Sequence, residues 1–358
     1  MGKRLADKRL ADKRLAAAMD GGHPGRRWSV ARGLSTFSTA DLPAEQRIGL
    51  WEDHNRAALI GLRCRMLGED PFDGAEQNLQ LDRVHLARVR GNAHVVERPA
   101  EVIRRSPADA IAVYVAVAGE AFFYHGDGVL VLKPGQVLIC DADRPFMRGF
   151  SRGLEELAIK VPRGVFEAST GLAELRGPVV REERSARTLG RLAHRTLRDQ
   201  VANERDRAVD ERDRAVGERD RAADEESLLA LVASMVGSGR DPGAVHLANA
   251  RAFIEEHLTE IGLTAARVAA GAGISERHLS RAFASSGTSL PQFVLGRRLE
   301  RAKALLAASP SMTVAEVAVA CGFGSAAHFS HVFRERFGVR ASEIRRAAGD
   351  PGHAAGGA

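Results

Sequence analysis

The chain has 358 residues, 44% hydrophobic and 27% charged, with a formal net charge of +6. That length supports two or three domains with sizeable cores. The longest apolar run, inside AIAVYVAVAG from Ala110, is about ten residues, half of a bilayer span, which excludes a membrane-embedded chain. Cys64, Cys140 and Cys321 are odd in number and far apart, with no Cys-x-x-Cys, so they read as core thiols in a reducing compartment.

The chain opens on MGKRLADKRLADKRLAAAMD, a basic stretch with no apolar segment after it, which argues against a secretory signal and for a cytoplasmic protein. Its five-residue repeat turns 500° on a helix, so Leu5, Leu10 and Leu15 form no stripe, and residues 1–30 are expected to be a mobile basic tail. From about Leu79 to Phe166, short apolar runs alternate with turns: AIAVYVAV, then AFFY, then VLVL, then QVLIC. This spacing predicts an antiparallel barrel or sandwich, and residues 31–185 are assigned to it. Val113, Val115 and Val117 read first as ordinary barrel core, with the lining of a pocket as the alternative.

From about Ala186 the pattern becomes helical. ARTLGRLAHRTLRDQVA and SLLALVASMVG should pack as a pair beside the β domain, with apolar faces available for dimerisation. Between them lies a heptad repeat, ERDRAVD ERDRAVG ERDRAAD, over 204–224. It has one adjacent apolar pair per heptad rather than the alternating three and four of a coiled coil, so it reads as a solvated helix or linker. Residues 186–245 are assigned to this linker and dimerisation region, and 348–358 to a disordered tail.

Charge divides unevenly. Residues 1–30 hold 8 basic and 3 acidic side chains, residues 203–226 hold 6 and 10, and residues 246–347 hold 13 and 8. A basic C-terminal third is the footprint of a polyanion partner.

That third contains an internal duplication. Thr264, Val268, Ala269 and Gly273 recur forty-nine residues later as Thr313, Val317, Ala318 and Gly322. Ser275, His278, Leu279, Ser280 and Phe283 recur fifty later as Ser325, His328, Phe329, Ser330 and Phe333, so one residue near Gly324 is inserted in the second turn. Each copy is helix, glycine turn, helix. Thr264 and Thr313 cap the first helices, Thr313 in a capping box with Glu316, and Ser275 and Ser325 cap the second. This is a tandem helix-turn-helix, over 264–285 and 313–337, whose second helices are shaped for a DNA major groove.

Leu279 with Phe283, and Phe329 with Phe333, mark the buried sides. The opposite faces carry Arg277, Ser280 and Arg281 in one copy, and Ala326, Ala327, Ser330 and His331 in the other. Arg277 and Arg281 can each fork onto guanine O6 and N7, whereas the alanines can only touch a thymine methyl. Between the copies LPQFVLGRRLERAKALLAAS predicts a helix of roughly 17 residues, about 25 Å, started by Ser289 with Gln292, which could hold the reading helices one DNA turn apart. Candidates for phosphate contact and positioning are Arg297, Arg298, Arg334, Arg336, Arg345 and Arg346, with the caps Thr264, Ser275, Thr313 and Ser325.

RRLERAKALL, TVAEVAVACGFGSAAHFSHVFRERFG and SEIRR resemble the C-terminal DNA-binding domain of AraC/XylS transcription regulators over about 100 residues. The resemblance implies that Arg277, Ser280, Arg281, Ala326, Ser330 and His331 face bases. The chain departs from the family at His331, where Arg is commoner, and at Ala341, where Pro is usual. FSTADLPAEQRIGLWEDH from Phe37, LKPGQVLICDADRPF from Leu132 and LAIKVPRGVF from Leu157 resemble the cupin-like regulatory domain of the same family. That resemblance implies a small-molecule effector, a homodimer and contact with RNA polymerase.

The expected architecture is α+β and multidomain: an N-terminal antiparallel, cupin-like β-barrel with flanking helices, then an all-α tandem helix-turn-helix domain over 246–347. The expected function is sequence-specific, ligand-responsive activation of transcription on double-stranded DNA, with a repressor or constitutive binder as the runner-up. A metal-dependent cupin enzyme is the alternative of another class. His85, His94 and His125 sit in or near predicted strands, but no His-x-His pair completes a ligand set, and PGQVLICDAD offers no His, so no metal or cofactor is expected.

Overall fold

The computed structural model describes residues 33–205, 211–237, 242–309 and 311–349. The basic start and its repeat, residues 206–210 of the first heptad and residues 350–358 lie outside the described residues.

The first part is a stack of two antiparallel sheets. The larger has seven strands: β1 (Gly33–Ser38), β3 (Gly74–Gln80), β4 (His85–Gly91), β11 (Leu154–Pro162), β6 (Ala110–Ala118), β9 (Val137–Asp141) and β12 (Val179–Arg181), in that spatial order. The smaller has β2 (Arg63–Met66), β5 (His94–Arg98), β10 (Phe146–Phe150), β7 (Ala121–His125) and β8 (Gly128–Leu132). The four apolar runs of the sequence are β6, β7, β8 and β9. The expected barrel is not closed, because the two sheets share no strand pairing. Strands also begin earlier than expected, at Gly33 rather than near Leu79. β3 reads GAEQNLQ and carries its polar residues inward, so it lacks the apolar alternation that marks a strand.

Helices cover the stack. α1 (Ala44–Ala58) lays Trp51 against the inner faces, and the short α2 (Ala100–Arg105) and α3 (Arg163–Thr170) flank the sheets. α4 (Arg184–Arg205) and α5 (Glu211–Met235) pack as a pair on the outer face of the larger sheet. Strand parity then sorts β6 into two cores. Ile111, Val113 and Val115 pack under α4 and α5, whereas Ala112 and Tyr114 point between the sheets. Val113 and Val115 are core residues under the helices, as expected, whereas Val117 is exposed, and none of the three lines the interior.

The apolar faces of α4 and α5 are used inside the chain. Leu189, Leu192, Ala193, Leu228, Leu231 and Val232 are all buried against the sheet, so these faces are not a dimer surface. All three cysteines are buried. Among the described residues, no helix is long and apolar enough to cross a membrane.

α6 (Pro242–Glu256) packs on α4 and α5 on one side and on the helices of the C-terminal part on the other. That part has two small cores. One gathers Ile254, Leu258, Val268, Leu279 and Phe283, the other Leu299, Leu306, Val317, Phe329 and Phe333.

Candidate nucleic-acid interface

The first helix-turn-helix is α7 (Ala265–Ala272) and α8 (Glu276–Ser285). The Thr264 hydroxyl accepts the Arg267 backbone N–H at 3.3 Å, and the Ser275 hydroxyl accepts that of His278 at 3.3 Å. Each bond satisfies a donor that the first helical turn leaves open. Gly273 ends α7 at φ +76°, a left-handed conformation that lets the chain reverse at once. Leu279 and Phe283 are buried on α8, and Arg277, Ser280 and Arg281 are exposed on its opposite side. Among the described residues, neither Arg277 nor Arg281 has an ion-pair partner.

The second copy is α10 (Val314–Ala320) and α11 (Ala326–Phe337), joined to the first by α9 (Leu290–Ala308) and followed by α12 (Ala341–Gly349). Thr313 and Glu316 form the expected capping box, with the Glu316 carboxylate accepting the Thr313 N–H at 2.7 Å. Ser325 caps α11, and Ser289 with Gln292 starts α9. With 19 residues, α9 is about 28 Å long. Phe329 and Phe333 are fully buried, while Ala326, Ala327, Ser330, His331 and Arg334 are exposed. The Ser330 hydroxyl donates back to the Ala326 carbonyl at 2.9 Å, which leaves its lone pairs facing out. Gly322 adopts φ +81° where the turn meets the first half, and a Cβ there would lie 2.9 Å from the carbonyl oxygens of Leu258 and Thr259.

The structure divides the arginines that charge alone had grouped. Arg334 is exposed and unpaired among the described residues. Arg336 binds Glu300 at 3.0 Å and lies over the Phe337 ring, and Arg345 reaches the Met312 carbonyl at 3.4 Å. Arg298 donates to the carbonyls of Leu258 and Glu260. Arg297 is the most committed, held by Glu255 on α6, Asp199 on α4 and Asp220 on α5. These carboxylates push its already high pKa further up against the desolvation of burial. Arg297 and Arg298 therefore hold the domain together.

Asp220 belongs to the third heptad, where Glu218, Asp220 and Ala222 are exposed and the end is docked. Its Asp224 binds Arg195 and Thr196, and Glu225, just after the repeat, accepts the backbone N–H groups of Arg83 and Val84. Nothing in the repeat signalled this, because its partners are remote in sequence.

The other site is the interior between the sheets. A small cavity of about 30 Å³ is lined by Trp51, Asn55, His94, Tyr114, Arg148, Phe150 and Glu156 among others. Arg148 forks onto Glu156, with Nη1–Oε1 at 3.0 Å and Nη2–Oε2 at 2.6 Å, and lies 3.8 Å from the Tyr114 ring centroid. Leu154 also lines an open groove of about 500 Å³ at the sheet ends, together with Asp73, Arg90, Arg152 and Glu155. Beside the cavity sits Glu76, 1% exposed, with burial pushing its carboxyl up to about 7. Burial also lowers the pKa of His54, His85 and His94. His85 is bonded to Asn78 and Gln80, and His94 to the Asn92 carbonyl, so both are tied into hydrogen bonds. Sequence reasoning did not single out Glu76; an acidic residue at an inward position of β3 was its only signal.

Comparison with known proteins agrees with this layout. The family described as AraC-binding-like domain matches residues 51–236, and that described as Helix-turn-helix domain matches residues 268–347. The transcriptional activator NphR of Rhodococcus sp is 26% identical over 276 residues, covering 75% of this chain and 79% of that protein. The transcriptional activator RhrA of Rhizobium meliloti (strain 1021) is 33% identical over 124 residues, covering 34% of this chain and 40% of that protein. Among solved structures, the AraC-like transcriptional activator CuxR aligns over 76% of this chain and 96% of its own, at 20% identity and a TM-score of 0.46. With an AraC-binding-like domain ahead of a helix-turn-helix domain, the chain belongs to the AraC/XylS family of DNA-binding transcription regulators.

Proposed function

We propose that this regulator is a ligand-responsive activator that reads two successive major grooves through Arg277, Ser280 and Arg281 on α8 and Ala326, Ser330 and His331 on α11. The observation that carries the reading is the duplication itself: two capped, matched bihelical units at the two ends of α9, each with a buried Leu/Phe or Phe/Phe side and an exposed polar side. Arg277 and Arg281 supply the sharper discrimination, because guanidinium can bond bidentately to guanine. Arg334 and the exposed caps Thr264, Ser275, Thr313 and Ser325 supply phosphate contacts, which fix register without naming a sequence.

Activation, rather than repression, is supported by the names of NphR and RhrA, both transcriptional activators. Contact with RNA polymerase follows from activation, and action on chromosomal DNA places the protein in the cytoplasm. The cavity between the sheets is the effector site, and a homodimer would place two such regulators on one operator. Ligand binding then shifts the balance between arrangements of the DNA-binding parts, to the extent that the ligand prefers one of them. Selection of bound genomic fragments followed by footprinting tests the reading. Protection over two adjacent turns of one duplex face is expected, and a footprint limited to one groove would refute the double reading.

A further inference from the structure

Among the described residues, the interior between the sheets holds one acid, Glu76, that no basic side chain neutralises. The Glu76 side chain is 0% exposed, neither carboxylate oxygen has a hydrogen bond of full geometry, and the neighbouring Asn78 amide offsets only part of the cost of its burial. Among the described residues, the cations nearest this interior have partners of their own. Arg148 is spent on Glu156, Lys160 on the Leu59 carbonyl, and Arg98 on Asp143 and the carbonyls of Gly61, Ser106 and Ala142. His54 Nε2 comes within 3.7 Å of Glu76 Oε1, but that nitrogen is engaged by the Asn78 amide at 3.2 Å, and burial disfavours its charged form. Glu76 is placed beside the cavity by strand register. It stands opposite Val89, which stands opposite Glu156, and both of those line the cavity. Trp51 and Asn55, from the helix that carries His54, line it as well.

We propose that the β domain binds a small organic cation, an amine, amidine or guanidine on an apolar body, with its charge against Glu76 and its body among Trp51, Val89 and Phe150. This rests on the reading of the cavity as the effector site and names the chemistry it selects. An anion is disfavoured there, because Arg148 and Glu156 neutralise each other and a bound carboxylate would face the uncompensated Glu76. A cation instead removes the cost of a buried, uncompensated carboxylate, and the aromatic walls favour it further. A cavity of about 30 Å³ admits little more than a water molecule. A body of any size must therefore push its lining aside, and Leu154, which lines both this cavity and the groove, is the side chain placed to move.

The test uses the full chain at pH 8, with binding followed by calorimetry and thermal shift. The probes are butylamine, 2-phenylethylamine and benzamidine, each beside an uncharged and an anionic counterpart: butanol and butyrate, phenylethanol and phenylacetate, benzamide and benzoate. At least one cation is expected to bind at one per chain, at least tenfold tighter than its counterparts, and Glu76→Gln is expected to weaken it at least tenfold. Cations that bind no better than alcohols, or equally well to Glu76→Gln, overturn the proposal. Should the variant fail to fold, the comparison of the three charge classes on the unsubstituted chain decides it alone. Tighter binding of the anions also overturns it, while leaving a ligand-binding β domain in place. If none of the nine binds and the same preparation still retains its genomic fragments, the cation site and the effector reading both fall and the DNA reading stands.

Discussion

Arg297 and Asp199 lie 98 positions apart in the sequence and meet at 3.1 Å, the guanidinium of the strut between the two helix-turn-helix units donating to a carboxylate on the helix that covers the larger sheet. Glu255 holds the same guanidinium from α6. The DNA-binding part is thus tied to the β domain through its own central helix. Arg297→Ala should cost about 2 kcal/mol in urea unfolding, the scale of a partly buried charged hydrogen-bond cluster. Arg297→Lys should recover only part of this, since one ammonium cannot span the positions that the planar fork reaches. Equal stability of all three proteins would show that the cluster does not hold the parts together.

Base reading and phosphate contact make different demands on a substitution. Arg281→Ala should cost roughly 1–3 kcal/mol on the selected site and relax preference at one base position. Arg334→Ala should weaken all sequences alike and reduce the salt dependence by about one counterion. Quantitative gel shifts on selected and random duplexes at several salt concentrations separate the two. If both variants lose the same factor on every duplex, the reading face of α8 has been misassigned.

How much was legible depended on whether the deciding contact is local. The tandem units were, because a cap reaches three residues forward, a turn glycine acts at its own position, and Leu279 with Phe283 lie one helical turn apart. The four apolar strands were legible for the same reason. The inner face of the larger sheet was not, since Glu76, Asn78 and Gln80 of β3 point inward and mimic the pattern of a loop. Nor was the role of Arg297, whose chemistry is that of any surface arginine until Glu255 and Asp199 are brought beside it. In β6, alternation was visible, but which parity faced the second sheet depended on where α4 and α5 would pack.

Two neighbouring glycines in the second turn make a controlled comparison. Gly322 needs φ +81°, and an added Cβ would press on two backbone carbonyls that cannot move aside. Gly322→Ala should therefore destabilise the protein by roughly 2 kcal/mol. At Gly324 the conformation is ordinary and a Cβ would meet only the Ile261 side chain, at 3.6 Å. Gly324→Ala should stay within about 0.5 kcal/mol of the unsubstituted chain. Thermal unfolding checks both, and a Gly322→Ala variant as stable as Gly324→Ala would mean that the turn is not built as described.

Glu76 should give stability a pH dependence of definite sign. Its carboxyl lies above its ordinary value of 4.5, at about 7, so the folded chain holds this proton more tightly than the unfolded one. The group costs nothing below about pH 4.5, and its penalty grows as pH rises through 7. A rise from 4.5 to about 7 is worth roughly 3 kcal/mol, and Glu76→Gln should be the more stable protein by about that amount at pH 8 and equal to the original at pH 4. His85, held down to about 4, gives the opposite slope, with stability present above 6.5 and lost as pH falls towards 4. The unsubstituted chain alone would therefore show a blunted profile, and the difference between the two proteins isolates Glu76. Urea midpoints measured from pH 4 to 8 provide that difference, and a gap that does not widen with pH would place the Glu76 carboxyl in contact with solvent or a cation already held in the fold.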